Sequence, residues 1–196
     1  MSSSPGFAAE APRRRLTERQ AEVVLRLTDG ATDEIRENGY DALTVRRVAA
    51  RAGVAPATAY TYFASKDHLV AEAFWRKLRA LDEPRVDGRM SPAARVSAAL
   101  RDLTTLLASE PALAAATTSA MLANDPDVKH LRDRVGAEIR RRLAAALGDD
   151  DGGAVLGALE LTVGGAMIQA GMGHLPYREL PGRVAEVAEL LMRGRR

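Results

Sequence analysis

Between Thr44 and Ser65 the chain is punctuated so densely that no helix longer than about two turns fits. Thr44 is a good N-cap, followed by Val45, Val48, Ala49 and Ala52 on one helical face. Gly53 closes that helix, and Pro56 stands where proline suits the first turn of another. Ser65 then caps a third, so the middle helix ends near Phe63. Segments this short are unstable alone and must be held by neighbours. Two of them joined by a tight glycine turn form a helix-turn-helix when the first supports and the second is exposed.

The flanks supply the support. Thr17 and Gln20 make a capping box, with Val24, Leu27, Ala31 and Ile35 at helical spacing up to Gly39. After Ser65 a helix carries Leu69, Val70, Ala73, Phe74 and Leu78, and "DEPRVDGRMSP" (82–92) ends it. Further helices are expected from Pro92 to Ser109, Ala112 to Ala123, Val128 to Leu147, Gly153 to about Met172, and Gly182 to Arg193. No strand pattern intervenes, so the fold class is all-α. The expected division is a basic arm (1–15, ending Arg13-Arg14-Arg15), a helix-turn-helix domain (16–81) and a second helical domain (92–196).

The composition excludes several chemistries. With no Cys there is no disulfide, thiol nucleophile or Cys-ligated metal. His68, His130 and His174 are scattered, and "GDDDGG" at Asp149–Asp151 lacks the ligand spacing of a calcium loop. "GGAMIQAGMG" follows no strand and is no dinucleotide fingerprint. No nucleophile and base stand together, so neither a catalytic residue, a metal nor a cofactor is expected, and the chain is not read as an enzyme. The N-terminal residues have no apolar run of signal-peptide length, which points to the cytoplasm. Gly152–Gly173 is long enough to imitate a membrane span, but Glu160 and Gln169 interrupt it, and a buried helix with no membrane partner is expected.

Net charge is only +2, yet from Ala42 to Lys66 the only charges are Arg46, Arg47, Arg51 and Lys66. A carboxylate there would repel phosphate. Val54, Ala59 and Phe63 give the second short helix its apolar face, leaving Pro56, Ala57, Thr58, Tyr60, Thr61 and Tyr62 around the rest. Small residues admit close backbone approach to a groove, and the hydroxyls reach phosphates or base edges. Thr44 and Lys66 stand at helix N-termini, where amide dipoles favour anions. Double-stranded DNA is the partner this arrangement suits.

The stretch "LTVRRVAARAGVAPATAYTYFASKDHLV" resembles the DNA-binding signature of the TetR family of bacterial transcriptional regulators, through Thr44, Val48, Ala49, Ala52, Gly53, Val54, Tyr60, Tyr62, Phe63, Lys66 and Leu69. The resemblance implies phosphate contacts from Thr44, Tyr60, Tyr62 and Lys66, and base-edge approach by Pro56, Ala57 and Thr58. It makes Arg46 the candidate for a guanine contact. Ala55 and Ala57 depart from the family's usual Ser/Thr and Gly, which removes a helix cap and bears on sequence preference. Contact of Arg13–Arg15 with the minor groove is left open.

The resemblance also implies that the second domain binds a small molecule and forms a homodimer through its last two long helices. Gly164 and Ala170 allow close helix approach, and Val184, Val187 and Leu191 form an apolar stripe, so these five are the candidate interface. Leu103, Leu107, Thr117, Met121 and Met167 are the candidate pocket, a mix of flexible apolar side chains and a hydroxyl that suits an apolar or amphipathic effector. The expected function is a repressor released by that effector from a near-palindromic operator. The competing expectation is a helical carrier or enzyme without specific DNA binding, supported by Ala55 and Ala57.

Overall fold

The computed structural model describes residues 17–84, 87, 89–148 and 153–193, and among them the regular structure is helical throughout. The Arg13–Arg15 arm and the Asp149–Asp151 turn lie outside the described residues. α1 (Glu18–Asn38) opens on the expected capping box, in which Thr17 Oγ1 accepts from the Gln20 amide and Gln20 Oε1 accepts from the Thr17 amide. α2 (Val45–Arg51) and α3 (Pro56–Tyr62) are each seven residues long, and α4 (Lys66–Arg79) follows. Thr44 Oγ1 accepts from the Arg47 amide at 3.1 Å and Ser65 Oγ from the His68 amide at 3.0 Å. Ala55 gives α3 no side-chain cap. Gly53, between α2 and α3, has φ of 62°, a left-handed conformation that a side chain would strain.

The second half comprises α5 (Pro92–Ser109), α6 (Pro111–Met121), α7 (Pro126–Leu147), α8 (Ala154–Gly171), a 3-10 turn (Tyr177–Glu179) and α9 (Leu180–Arg193). α6, α7 and α9 begin earlier than the spacing of apolar residues suggests. Pro111 and Pro126 take the first helical position and Pro181 the second, where no intrahelical N–H is required. α6 also ends earlier, at Met121 rather than Ala123. Arg132 donates to the carbonyls of Met121 (2.7 Å) and Ala123 (2.9 Å) there.

Two apolar cores form. In the first, Leu27, Ile35, Val48, Ala59, Phe63, Leu69 and Val70 gather against Leu113, Ala116 and Ala120 of α6. In the second, Phe74 and Leu78 join Leu100, Leu103, Leu143, Leu159 and Val184. The cores therefore meet inside α4, so the 82–92 loop divides the chain more sharply than it divides the packing.

α8 is apolar apart from Glu160, Thr162 and Gln169. By length and composition it could cross a membrane, yet Val155, Leu159 and Val163 are buried in the second core and Glu160 pairs with Arg140 at 2.5 Å. The expectation of a buried helix holds for one face only. The opposite face leaves Leu161 at 81% exposure, with Ile168 and Met172 beside it. At its C-terminal end α8 runs so close to α6 that a Cβ on Gly171 would lie 2.5 Å from Thr118 Oγ1 and 2.8 Å from its Cβ.

The largest fully buried side chain among the described residues is one that hydrophobic spacing does not announce. Arg142 of α7 is 1% exposed, and its guanidinium donates to Glu138 (2.8 Å) and to the Asp82 carbonyl (3.3 Å). This ties α7 to the segment that follows α4.

Two predictions follow from this packing. Gly171→Ala should destabilise the protein by about 1–3 kcal/mol through overpacking against Thr118. Gly136→Ala, where nothing stands within 4 Å, should stabilise it by up to about 1 kcal/mol through helix propensity; urea denaturation measures both. Hydrogen bonds from Arg141 and then Arg142 hold the Glu138 carboxyl below its ordinary range, against the opposing effect of burial. A depressed carboxylate pKa stabilises above the unfolded value and is lost as pH falls through the folded one. Glu138→Gln should thus be less stable by on the order of 3 kcal/mol at pH 7, with the gap closing below about pH 4; urea midpoints at pH 7 and pH 3 test it.

Candidate DNA-binding surface and effector cavity

α3 owes its orientation to both ends. Ala59 and Phe63 are fully packed in the first core, and the Phe63 ring meets His68 edge-on with centroids 5.2 Å apart. That packing turns Pro56, Ala57, Thr58, Tyr60 and Thr61 outward, with Tyr60 53% exposed. Tyr62 is half-buried against the core. The Thr61 hydroxyl donates to the Ala57 carbonyl at 3.0 Å. An exposed, small-residue N-terminal half with hydroxyl-bearing side chains behind it is the geometry of a helix that enters a major groove.

The charges divide in a way the sequence does not display. Arg47 reaches Glu34 at 2.7 Å, and Arg51 reaches both Glu34 (3.1 Å) and Glu37. The acid-free stretch is therefore partly neutralised by carboxylates of α1, with Glu34 itself buried. Arg46 is exposed and has no ion-pair or hydrogen-bond partner among the described residues. The Lys66 ammonium donates to the Tyr40 carbonyl at 3.2 Å and lies 4.1 Å from the centre of the Tyr40 ring. The Tyr40 hydroxyl in turn donates to Asp67, and burial, then Asp67, raises its pKa. Lys66 is thus seated at the α4 N-terminus and retains donors for a phosphate. Neither the Glu34–Arg47–Arg51 cluster nor Tyr40 has a sequence signal, because the partners lie on separate helices.

A second tie joins this head to the rest of the molecule. The Ser65 hydroxyl, which caps α4, donates to Asp125 Oδ2 at 2.6 Å, while Asp125 Oδ1 accepts from the Asp127 and Val128 amides and caps α7. The hydrogen bond from Ser65 is the foremost reason the Asp125 carboxyl is held below its ordinary pKa. The N-termini of α4 and α7 are thereby linked through one carboxylate. Arg36 of α1 adds a two-pronged contact to Glu110 between α5 and α6 (2.9 and 3.1 Å).

Between α4, α6, α7 and α8 lies a cavity of about 370 Å³. Phe74, Met121, Val135, Ile139, Val163 and Met167 make its walls apolar. Thr117 lines it as well, and its buried hydroxyl has no hydrogen-bond partner among the described residues. Arg132 and Glu160 sit at the rim. A larger groove, about 550 Å³, runs past Asp82, Glu83, Arg101 and Asp102; its charged lining suits water better than an apolar molecule.

The structure brings Thr117, Met121 and Met167 together at the apolar cavity and leaves Leu103 and Leu107 out of it. Those two face inward from α5 and are sealed in the second core. The stripe expected to face a partner subunit also turns inward. Val184 and Ala170 are buried within the chain, Val187 and Leu191 pack on the same core, and Gly164 borders the cavity. The reason is that α9 lies along α5 and α8, which claim its apolar side. The large apolar residues exposed in this region are Leu161 and Ile168 of α8, its C-cap Met172, and Leu190 of α9.

A short exposed reading helix, held by α1 and α4 and carried on a larger helical body with an apolar cavity, defines a helix-turn-helix transcriptional regulator. The family described as bacterial regulatory proteins of the tetR family matches residues 27–73. An HTH-type transcriptional regulator of Mycobacterium tuberculosis is 42% identical over 93% of this chain and 91% of its own length. The HTH-type transcriptional repressor KstR of Mycolicibacterium smegmatis is 30% identical over 69% of this chain and 68% of its own. Among solved structures, a TetR transcriptional regulator from Rhodococcus sp. RHA1 matches with a TM-score of 0.70 at 26% identity, over 90% of this chain and 98% of that one. FadR of Bacillus subtilis, solved in complex with stearoyl-CoA, has the same fold at 19% identity and a TM-score of 0.62, over 84% of this chain and 96% of that one. This chain belongs to the TetR family.

The unpaired state of Arg46 separates its role from that of its neighbours. Arg46→Ala should relax discrimination at one operator position by about 1–3 kcal/mol. Lys66→Ala should weaken binding to every DNA and lower the salt slope by about 1. Anisotropy titrations of both variants over a salt series, against single-base operator changes, measure these effects.

Proposed function

We propose that the protein is a homodimeric cytoplasmic repressor that leaves a near-palindromic operator when a small apolar or amphipathic molecule occupies the α4–α6–α7–α8 cavity. The observation that carries this reading is the shared carboxylate of Asp125. α7 lines the cavity through Val135 and Ile139 and is joined by Asp125 to Ser65, the cap of the helix that follows α3. Two helices that hold the reading head thus also bound the cavity. Occupancy that shifts α4 and α7 alters the separation of two reading heads, so effector and DNA favour different conformations and each weakens the other.

The apolar walls and the unpartnered Thr117 hydroxyl support an effector with a large apolar body and a small polar group. A molecule with a long apolar chain occupies FadR, and KstR is named a repressor; both features accord with this reading. The outward apolar face of α8 supports the dimer, since an exposed group of large apolar side chains favours cover by another surface. The contact is expected through Leu161, Ile168, Met172 and Leu190.

Fluorescence anisotropy with DNA from upstream of the protein's own gene, competed with scrambled DNA, tests the regulator reading. Saturable binding of two subunits per site, with a specific-to-scrambled ratio of about 10³ or more, is expected. Fatty acids and their thioesters, titrated into that complex, should release the DNA. Release by small charged metabolites alone would overturn the apolar effector.

A further inference from the structure

We infer that His68 is a positioning residue for the reading helix, which it fastens to α7 through a proton-dependent contact with Asp127. The inference rests on the DNA-binding regulator proposed above. His68 lies in the first turn of α4, and its side chain is 19% exposed. The packing leaves one of its polar atoms unserved. Nδ1 is buried and has no hydrogen-bond partner among the described residues. Asp127 Oδ2, in the first turn of α7, stands 3.6 Å away, just beyond hydrogen-bond reach.

The same ring meets Phe63 edge-on, with centroids 5.2 Å apart, and Phe63 is the C-cap of α3. One imidazole therefore touches the end of the reading helix and faces the start of a helix that lines the cavity. Beside it, the Ser65–Asp125 hydrogen bond (2.6 Å) keeps the N-termini of α4 and α7 together. An unprotonated Nδ1 turns its lone pair toward the Asp127 carboxylate, whereas an imidazolium donates to it with full charge. Proton uptake thus draws Asp127 onto the ring and holds the ring against Phe63. A helix as short as α3 takes its orientation from what it packs on. Fixing that support favours the head that binds DNA, so proton and DNA strengthen each other's binding.

The charges on the surrounding helices leave this contact to α7. On α4 itself, Asp67 accepts from the Tyr40 hydroxyl, Lys66 donates to the Tyr40 carbonyl, and Glu72 pairs with Arg76 at 3.1 Å. Neither α3 nor α6 carries a charged side chain. On α1, Glu34 and Glu37 are engaged by Arg51, and Asp33 by Arg36. On α7, Lys129 pairs with Asp133 at 3.0 Å, Arg132 donates to the Met121 carbonyl, and His130 has contacts of its own. Asp125 is held below its ordinary pKa chiefly by the Ser65 hydrogen bond, with a smaller contribution from the charge of His68. Of the three histidines in the chain, His68 alone lies in the DNA-binding head.

The test is the anisotropy of the full chain with DNA from upstream of its own gene, read between about pH 6 and pH 8 at constant ionic strength. The unaltered chain should bind about fivefold more tightly at the acid end of that range. His68→Gln should flatten the profile to within about twofold. Asp127→Asn should flatten it equally while the imidazole and its packing on Phe63 stay in place, which separates the charge from the packing. His130→Gln should keep the original slope. Circular dichroism checks the fold of each variant; Asp127 is 57% exposed, so its replacement decides the matter if His68→Gln unfolds. A slope that survives in Asp127→Asn, or no slope in the unaltered chain, overturns the contact and leaves the regulator standing. Absence of specific DNA binding at every pH overturns the regulator and the contact together.

Discussion

Everything the protein does with DNA depends on one constraint: α2 and α3 are seven residues each and cannot stand alone. Their stability comes from apolar burial of Val48, Ala49, Ala59 and Phe63 in the first core. The consequence is mechanical. A helix without stability of its own takes its orientation from the core it packs on. The same fact explains the departures at Ala55 and Ala57. A missing cap costs about 0.5–2 kcal/mol in an isolated helix, but here tertiary burial, not capping, decides whether α3 forms.

The electrostatics of the head obey a similar division of labour. Glu34, buried on α1, engages Arg47 and Arg51 and so fixes α2 onto α1. A buried carboxylate with two guanidinium partners is satisfied where an unpaired one is not. What remains uncompensated is Arg46, one residue away and on the exposed side. Which arginine pairs with α1 and which stays free is thus set by position around the helix rather than by residue type.

Much of this was legible in the sequence because it is local. Caps at Thr17, Thr44 and Ser65, the Gly53 turn and the Pro56 start each act over three or four residues, and each helix is found where those signals place it. The family signature across 44–69 is local in the same sense. What was not legible depends on partners far apart in the chain: Glu34 with Arg51, Ser65 with Asp125, Arg142 with the Asp82 carbonyl. Which way each face of α9 points was not legible for a related reason. Periodicity shows that Val184, Val187 and Leu191 share a face, but only the position of α5 shows that this face points into the subunit. Leu103 and Leu107 were apolar enough for a pocket and are simply core.

α8 reconciles these demands and is the element under the most conflicting ones. One side must fill the second core, one must line the cavity, and one is left apolar toward solvent. No amphipathic sequence meets all three requirements, which is why α8 resembles a membrane span in composition. Its glycines mark where the requirements meet. Gly171 lets α8 approach α6 at Thr118, which fixes the cavity's far end. Gly164 borders the cavity with open space around it.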